Sequence, residues 1–316
     1  MNYIYFYFII LCIIFSFSSN NWFLIWVMME ISLISFIPII KNNTLFNSSA
    51  LMIYFLIQSL SSILFLLSMI FNYMKSYNQI TSLLILLTIL LKIGFPPFHS
   101  WMIQMSNGLT LIHLFFMITL MKIIPFYFLS FFHFYLLQMM ILFSIFLSTI
   151  LGLNQTLIPK IIIFSSISHM NWMLSIMMYY YFSWIPYFLI YTLITFMLIK
   201  SMLLLKWNSI NSPIFINNSK TINFQMMVNL MSLAGMPPFL GFFPKWMSIM
   251  LLSSSMSMIL LALLISSLIN IYIYLRITFS ILLNMSMKIK WENNNIMISN
   301  LFMINLMSIF LLIPLI

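Results

Sequence analysis

Eleven apolar runs fill almost the whole chain, and nothing constrains its folding more. They lie near residues 3–19, 22–40, 50–71, 82–101, 109–131, 135–153, 160–180, 184–206, 222–244, 250–283 and 297–316. A run of roughly 20 apolar residues, rising about 1.5 Å each, crosses a hydrocarbon layer of about 30 Å. Inside that layer a helix satisfies its own backbone groups, so the expected fold is an all-α polytopic membrane protein of about eleven transmembrane helices. The breaks are polar and turn-prone: Ser18-Ser19-Asn20-Asn21, Lys41-Asn42-Asn43-Thr44, Ser76-Tyr77-Asn78-Gln79, Asn208 to Lys220, and Glu292-Asn293-Asn294-Asn295. None is long enough for a separate soluble domain. The chain therefore reads as a single transmembrane domain over 1–316, with a core about 22–283 and a terminal helix about 297–316.

Composition excludes the alternatives. Apolar residues make up 64% of the 316 and charged residues 4%, with two acids against twelve Lys and Arg, too few charges to cover a soluble surface. The bases are scattered singly between apolar runs, without the basic cluster that phosphate binding needs, so no nucleic acid partner is expected. Met1 leads directly into an apolar run from Tyr3 to Phe17 with no basic segment before it and no small-residue cleavage site after it, which predicts a first helix and not a signal peptide. Cys12 is the single cysteine, so neither a disulfide framework nor a thiolate metal cluster can form. Phe (33) and Met (31) are abundant while Gly (5) and Ala (Ala50, Ala234 and Ala262) are scarce. That bias favours codons rich in A and T, and reading ATA as Met would add methionines, as expected of an organelle-encoded chain. With eleven spans, Lys41, Lys160, Lys206, Lys220, Lys288 and Lys290 fall on one side and Lys75 on the other. The positive-inside rule then turns the N-terminus toward the interior compartment.

An internal repeat marks where the helices break. Gly94-Phe95-Pro96-Pro97-Phe98 reappears as Gly235-Met236-Pro237-Pro238-Phe239, each within an apolar stretch. Proline removes an N–H and clashes with the preceding turn, so paired prolines after a glycine interrupt a helix. In lipid such a break persists only where protein or a hydrated cavity satisfies the freed carbonyls, and corresponding broken spans in two halves point to a transporter built from inverted repeats.

Ionisable residues cluster around these breaks. Glu30 lies in Trp26-Val27-Met28-Met29-Glu30-Ile31, far from any polar boundary, and is the one acid within the runs. Lys92 precedes the first break, Lys122 sits mid-run in Leu120-Met121-Lys122-Ile123-Ile124-Pro125, and Lys245 follows the second break in Phe243-Pro244-Lys245-Trp246. A charge at a helix centre costs about 2.5–3.5 kcal/mol on insertion scales, so these residues are candidate proton carriers, with interfacial snorkelling the competing reading for Lys245. Glu30 as sole acid and Lys122 as a mid-run base suggest a coupled pair. His169, in the hydroxyl-rich Phe164-Ser165-Ser166-Ile167-Ser168-His169, could line a hydrated path from Lys160, and His99 could join it; either histidine could equally be a packing residue. Lys200 reads as snorkelling and Arg276 as an interfacial anchor, while His113 and His133 have no evident partner. His99 and His113 are fourteen apart, a spacing bis-histidine haem sites use, but Asn107-Gly108 interrupt the interval and no second pair accompanies them. Phosphate loops and catalytic triads are also missing, so no redox step belongs to this chain alone.

Taken together, several motifs resemble one family. These are Trp26 to Ile31 with Ser35-Phe36-Ile37-Pro38; Leu91-Lys92-Ile93-Gly94 with Pro97-Phe98-His99-Ser100-Trp101; Lys122 with Pro125; Gly152-Leu153-Asn154-Gln155-Thr156 with Ser165 to His169; and Pro237-Pro238-Phe239-Leu240-Gly241-Phe242-Phe243-Pro244-Lys245-Trp246. They are similar to the second membrane subunits of mitochondrial NADH:ubiquinone oxidoreductase, respiratory complex I, of invertebrate and foremost insect type. The likeness runs to about Arg276 and fades beyond. It implies an antiporter-like fold of inverted repeats with two discontinuous helices, and a proton-pumping subunit of the mitochondrial inner membrane with its N-terminus toward the matrix. It further implies partners among the other membrane-arm subunits and membrane lipids. No cofactor is expected in this chain, NADH, FMN, iron–sulfur clusters and ubiquinone being handled elsewhere in the complex. By motif position Glu30 and Lys122 resemble the glutamate–lysine pair, Lys92 the lysine of the first broken helix, Lys245 the terminal lysine, and His99 and His169 members of the hydrated axis. Pro96 stands where the family more often has a small residue, and the segment after Trp101 lacks the usual proline and acid. A sister antiporter-like subunit, a cation/proton antiporter, or a structural membrane subunit are the alternative readings.

Overall fold

The computed structural model describes residues 2–41, 45–74, 78–132, 135–205, 220–253 and 257–286. Among them all regular structure is helical: α1 Asn2–Ser18, α2 Trp22–Ile40, α3 Leu45–Tyr73, α4 Asn78–Ile93, α5 Ser100–Met105, α6 Leu111–Ile118, α7 Leu120–Leu129, α8 Tyr135–Leu153, α9 Ile158–Met177, α10 Trp184–Leu205, α11 Lys220–Ala234, α12 Phe242–Leu252 and α13 Ser257–Ser286. Six stretches are long and apolar enough to cross a membrane unaided, and those at Tyr3–Ser18, Ile80–Ile93 and Phe242–Leu252 are shorter apolar helices. The expected terminal helix at 297–316, and Lys75, His133, Lys206, Lys288 and Lys290, lie outside the described residues.

Helix boundaries differ from the sequence expectation where hydropathy is blind to backbone breaks. The apolar run at 222–244 divides into α11, which stops at Ala234, and the start of α12, and the run at 250–283 divides between the end of α12 and α13. The run at 109–131 is also interrupted, at Thr119 (φ −115°, ψ −82°), between α6 and α7. Nothing in the apolar pattern announces that break.

Two compact units are present, Met1–Ser144 and Ile145–Ile316, dividing within α8. In the first, α2 packs on α1 and α3, α3 packs on α4 and α5, and α7 lies against α1, α2 and α4. Phe36, Tyr54, Phe65, Phe126 and Phe128 fill its interior. In the second, α9 is the central element, with α10, α12 and α13 packed around it and α11 against α10 and α13. Every residue of α9 from Ile161 to Met177 is buried, although it carries Ser165, Ser166, Ser168, His169 and Asn171. A helix enclosed on all sides by protein can carry such polar groups where a lipid-facing helix could not. Ser165, Ser166 and Ser168 direct their hydroxyl protons to the carbonyls of Ile162, Ile163 and Ser165, at 2.7–2.8 Å.

Candidate functional site

Both copies of the Gly-x-Pro-Pro-Phe repeat fold the same way, and the reason is local. Gly94 and Gly235 take φ of +73° and +77°, the left-handed conformation glycine reaches without a Cβ penalty. Around Gly94 the backbone bonds Gly94 N to Leu91 O (3.1 Å) and Phe95 N to Leu90 O (2.9 Å); around Gly235 they are Gly235 N to Ser232 O (3.0 Å) and Met236 N to Met231 O (3.4 Å). Each is a Schellman cap ending a helix, α4 at Ile93 and α11 at Ala234. The two prolines then subtract specific donors. In a continuing helix Pro96 and Pro97 would face the carbonyls of Lys92 and Ile93, and Pro237 and Pro238 those of Leu233 and Ala234.

What takes those carbonyls differs between the units. In the first, Gln58 of α3 donates from Nε2 to the Lys92 carbonyl at 3.1 Å; one residue earlier the Leu91 carbonyl, which the Gly94 N–H already reaches, also accepts from Trp101 Nε1 of α5 at 3.2 Å. In the second, Lys245 donates from Nζ to the Ala234 carbonyl at 2.7 Å. His169, from α9, comes up beside the backbone of Leu233. An ionisable side chain, that of Lys245, thus caps the second helix end.

The first unit also holds the acid–base contact. Lys92 Nζ stands 3.2 Å from Glu30 Oε1 and 3.7 Å from Met29 Sδ, with Lys92 buried and Glu30 24% exposed. The sequence expectation paired Glu30 with Lys122; the structure pairs it with Lys92. The rotation of α2 against α4 decides this, and sequence spacing carries no record of it. Lys122, 3% exposed, lies one turn after the Thr119 break. Thr119 Oγ1 donates to the Phe115 carbonyl at 2.6 Å, and Lys122 N bonds back to Thr119 O at 3.1 Å, a tighter turn than a regular helix makes. Three residues on, Pro125 leaves the Met121 carbonyl without its helical donor. Lys92 and Lys122 line one cavity of about 20 Å³, together with Ser32, Tyr54, Gln58 and Met121. That is room for about one water among several polar groups.

In the second unit the next helix, α12, begins at Phe242 and places Lys245 back across Gly235. His169 Nδ1 is 3.0 Å from the Tyr187 hydroxyl of α10. Its ring lies 4.9 Å from that of Tyr191. The hydroxyls of Tyr191 and Tyr274, both in the interior, lie beside Ser166 and Ser165 but fall short of hydrogen-bond geometry.

Comparison with known proteins accords with this architecture. Residues 19–270 match the family described as NADH:quinone oxidoreductase/Mrp antiporter, TM. The chain is 36% identical over 305 residues to NADH-ubiquinone oxidoreductase chain 2 of Rhipicephalus sanguineus, covering 96% of this chain and 97% of the relative. It is 36% identical over 293 residues to chain 2 of Anopheles gambiae, covering 88% and 85%. The chain belongs to the NADH-ubiquinone oxidoreductase chain 2 family. A chain of respiratory complex I from Thermus thermophilus shares its fold, with a TM-score of 0.80 at 19% identity, covering 89% of this chain and 70% of that one.

For this chain 2 family member, the structure gathers some of the sequence-derived candidates and scatters others. Glu30, Lys92 and Lys122 come together, as do His169 and Lys245. Lys160 is half-exposed in the first turn of α9, about 13 Å along the helix from His169, and Lys200 is exposed. His99 caps the start of α5, half-exposed, with Nδ1 3.3 Å from the Pro97 carbonyl. His113 pairs with Thr110, Oγ1 to Nδ1 3.1 Å, at the start of α6. Arg276 is not a free anchor: Nη1 and Nη2 donate to the Leu153 and Gln155 carbonyls at 2.9 and 3.0 Å, closing the C-terminal end of α8. Gln58 and Tyr187 were not among the candidates. Gln58 had a signal, an amide in the middle of a long apolar run; Tyr187, in an aromatic-rich chain, had none.

Proposed function

We propose that this chain is a proton-translocating membrane-arm subunit of an NADH:ubiquinone oxidoreductase, multi-pass in the mitochondrial inner membrane with its N-terminus toward the matrix. The observation that carries the reading is that buried proton-binding side chains sit at the helix breaks: Lys92 at the first, paired with Glu30, and Lys245 with His169 at the second. In this reading α4 with α5, and α11 with α12, are each one discontinuous span of an antiporter-like inverted-repeat core. With α6 and α7 as another span, the expected total of eleven includes the C-terminal segment.

Each part has a role in chemical terms. Glu30 stabilises the ammonium of Lys92, and weakening that contact frees the proton. A water in the cavity between Lys92 and Lys122 hands it on, since one bridging molecule is nearly as good as a direct hydrogen bond. Lys245 and His169 serve the second half of the path. NADH oxidation and quinone reduction occur on other subunits, and the exposed apolar belt, including Phe8, Leu56, Ile63, Phe146 and Leu268, packs against those subunits and lipid. The 36% identity to chain 2 proteins over most of their length favours this subunit over a sister antiporter-like chain.

The test is proton uptake by vesicles carrying the assembled complex, measured beside quinone-linked electron transfer. Lys122→Met and Lys245→Met should each lower protons moved per electron while the complex remains assembled. Normal translocation in both would make these lysines structural and sink the assignment.

A further inference from the structure

His169 has two ring nitrogens, and the structure sets one of them, Nδ1, on a hydroxyl. Nδ1 is 3.0 Å from the Tyr187 hydroxyl, and the ring also lies beside the backbone of Leu233. The Leu233 carbonyl is an acceptor whose helical donor would be the N–H of residue 237, which is proline. A ring N–H turned toward it supplies the donor that the proline lacks. With Nδ1 engaged by Tyr187, that N–H belongs to Nε2. A neutral imidazole carries a single N–H, so Nδ1 is left as a lone pair and Tyr187 donates its hydroxyl proton to it. Both residues are buried, Tyr187 at 3% and His169 at 7% exposure, so bulk water does not compete for either contact.

We propose that Tyr187 is a positioning residue that sets the tautomer of His169, holding Nε2–H on the carbonyl freed by Pro237 and reserving Nδ1 as the atom that takes the proton. The inference rests on the proton-translocating reading above. When His169 takes up a proton, it binds at the Nδ1 lone pair; the Tyr187 hydroxyl turns its own hydrogen away and becomes the acceptor. Release reverses both moves, and no bond of tyrosine is broken. The break at Pro237-Pro238 thereby does two things: it supplies carbonyls that seat His169 and Lys245, and through Tyr187 it makes one nitrogen of His169 the working one. The groups surrounding the ring are Tyr187 and Tyr191 from α10, Lys245 from α12, and Tyr274 from α13 beyond Tyr191.

The experiment uses the assembled complex with ring-labelled histidine, reading the tautomer-sensitive imidazole bands by infrared difference spectroscopy. The spectrum of a His169→Gln complex identifies the His169 contribution. In the unmodified complex the Nε2–H signature should dominate. Tyr187→Phe keeps the ring and removes only the hydroxyl, and should shift the tautomer ratio by up to about tenfold, the worth of one hydrogen bond. Protons moved per electron should fall severalfold, with electron transfer retained. Tyr272→Phe, on the exposed face of α13, should alter neither. An unchanged tautomer signature or full translocation in Tyr187→Phe overturns the role of Tyr187. Should His169→Gln also translocate normally, the path through His169 fails with it; impaired His169→Gln beside normal Tyr187→Phe leaves the functional reading standing and removes only this inference.

Discussion

Glu30 Oε1 and Lys92 Nζ stand 3.2 Å apart, joining the acid of α2 to the lysine whose own carbonyl begins the first helix break. Neutralising either partner should uncouple the pair. Glu30→Gln and Lys92→Met are each expected to lower proton uptake in reconstituted vesicles, and the double variant should cost less than the two losses added, by about 0.5–3 kcal/mol of coupling. The parallel cycle of Glu30→Gln with Lys122→Met should lie closer to additive. Stronger coupling to Lys122 than to Lys92 would contradict the pairing seen in the structure.

Gly235 and Gly94 offer a matched comparison. Alanine at either position meets a left-handed backbone, a cost of about 1–2 kcal/mol. At Gly235 the added methyl would also stand 2.8 Å from Lys245 Cδ and 2.9 Å from Cε and Nζ, whereas at Gly94 it would stand 2.6 Å from Met102 Cε. Both variants should therefore lower the unfolding temperature of the complex. Gly235→Ala alone should depress translocation well beyond its loss of stability, because it pushes Lys245 off the Ala234 carbonyl. Equal translocation in the two variants, at equal assembly, would refute this.

Gln58 tests whether capping a freed carbonyl is a structural task separable from proton movement. Gln58→Leu leaves the Lys92 carbonyl without its 3.1 Å donor in a buried site, a loss of about 1–3 kcal/mol. Thermal denaturation in detergent should show the drop, and Gln58→Glu, which accepts but does not donate when ionised, should not restore it. A Gln58→Leu complex as stable as the unmodified one would mean the carbonyl finds another donor.

Arg276 should resist replacement by lysine. Its two nitrogens reach two carbonyls, Leu153 and Gln155, through the fixed geometry of one guanidinium, and a single ammonium cannot reproduce that fork. Arg276→Lys and Arg276→Met are expected to loosen the α8–α9 connection to similar extents, read as faster amide exchange over 152–157. Full protection in the lysine variant would show that charge alone suffices.

Residue type and local order determined a good part of this protein. Uninterrupted apolar runs leave no soluble alternative, because too few polar groups exist to cover a surface. A glycine followed by two prolines ends a helix wherever it occurs, since the missing N–H groups and the left-handed turn belong to those residues themselves. Charges within the apolar runs at Glu30, Lys92 and Lys122 were visible for the same reason, each being costly in its own segment. Tertiary structure alone decided the partners. Whether Glu30 meets Lys92 or Lys122 depends on how α2, α4 and α7 are rotated in packing, and a few tens of degrees of rotation moves a side chain from one neighbour to the next. The break at Thr119 escaped notice because threonine is compatible with helix, and only the surrounding packing tips it out. Likewise the carbonyls at Leu233 and Ala234 could be named as donorless from the sequence, but which side chains come to fill them is settled by the helices folded around them.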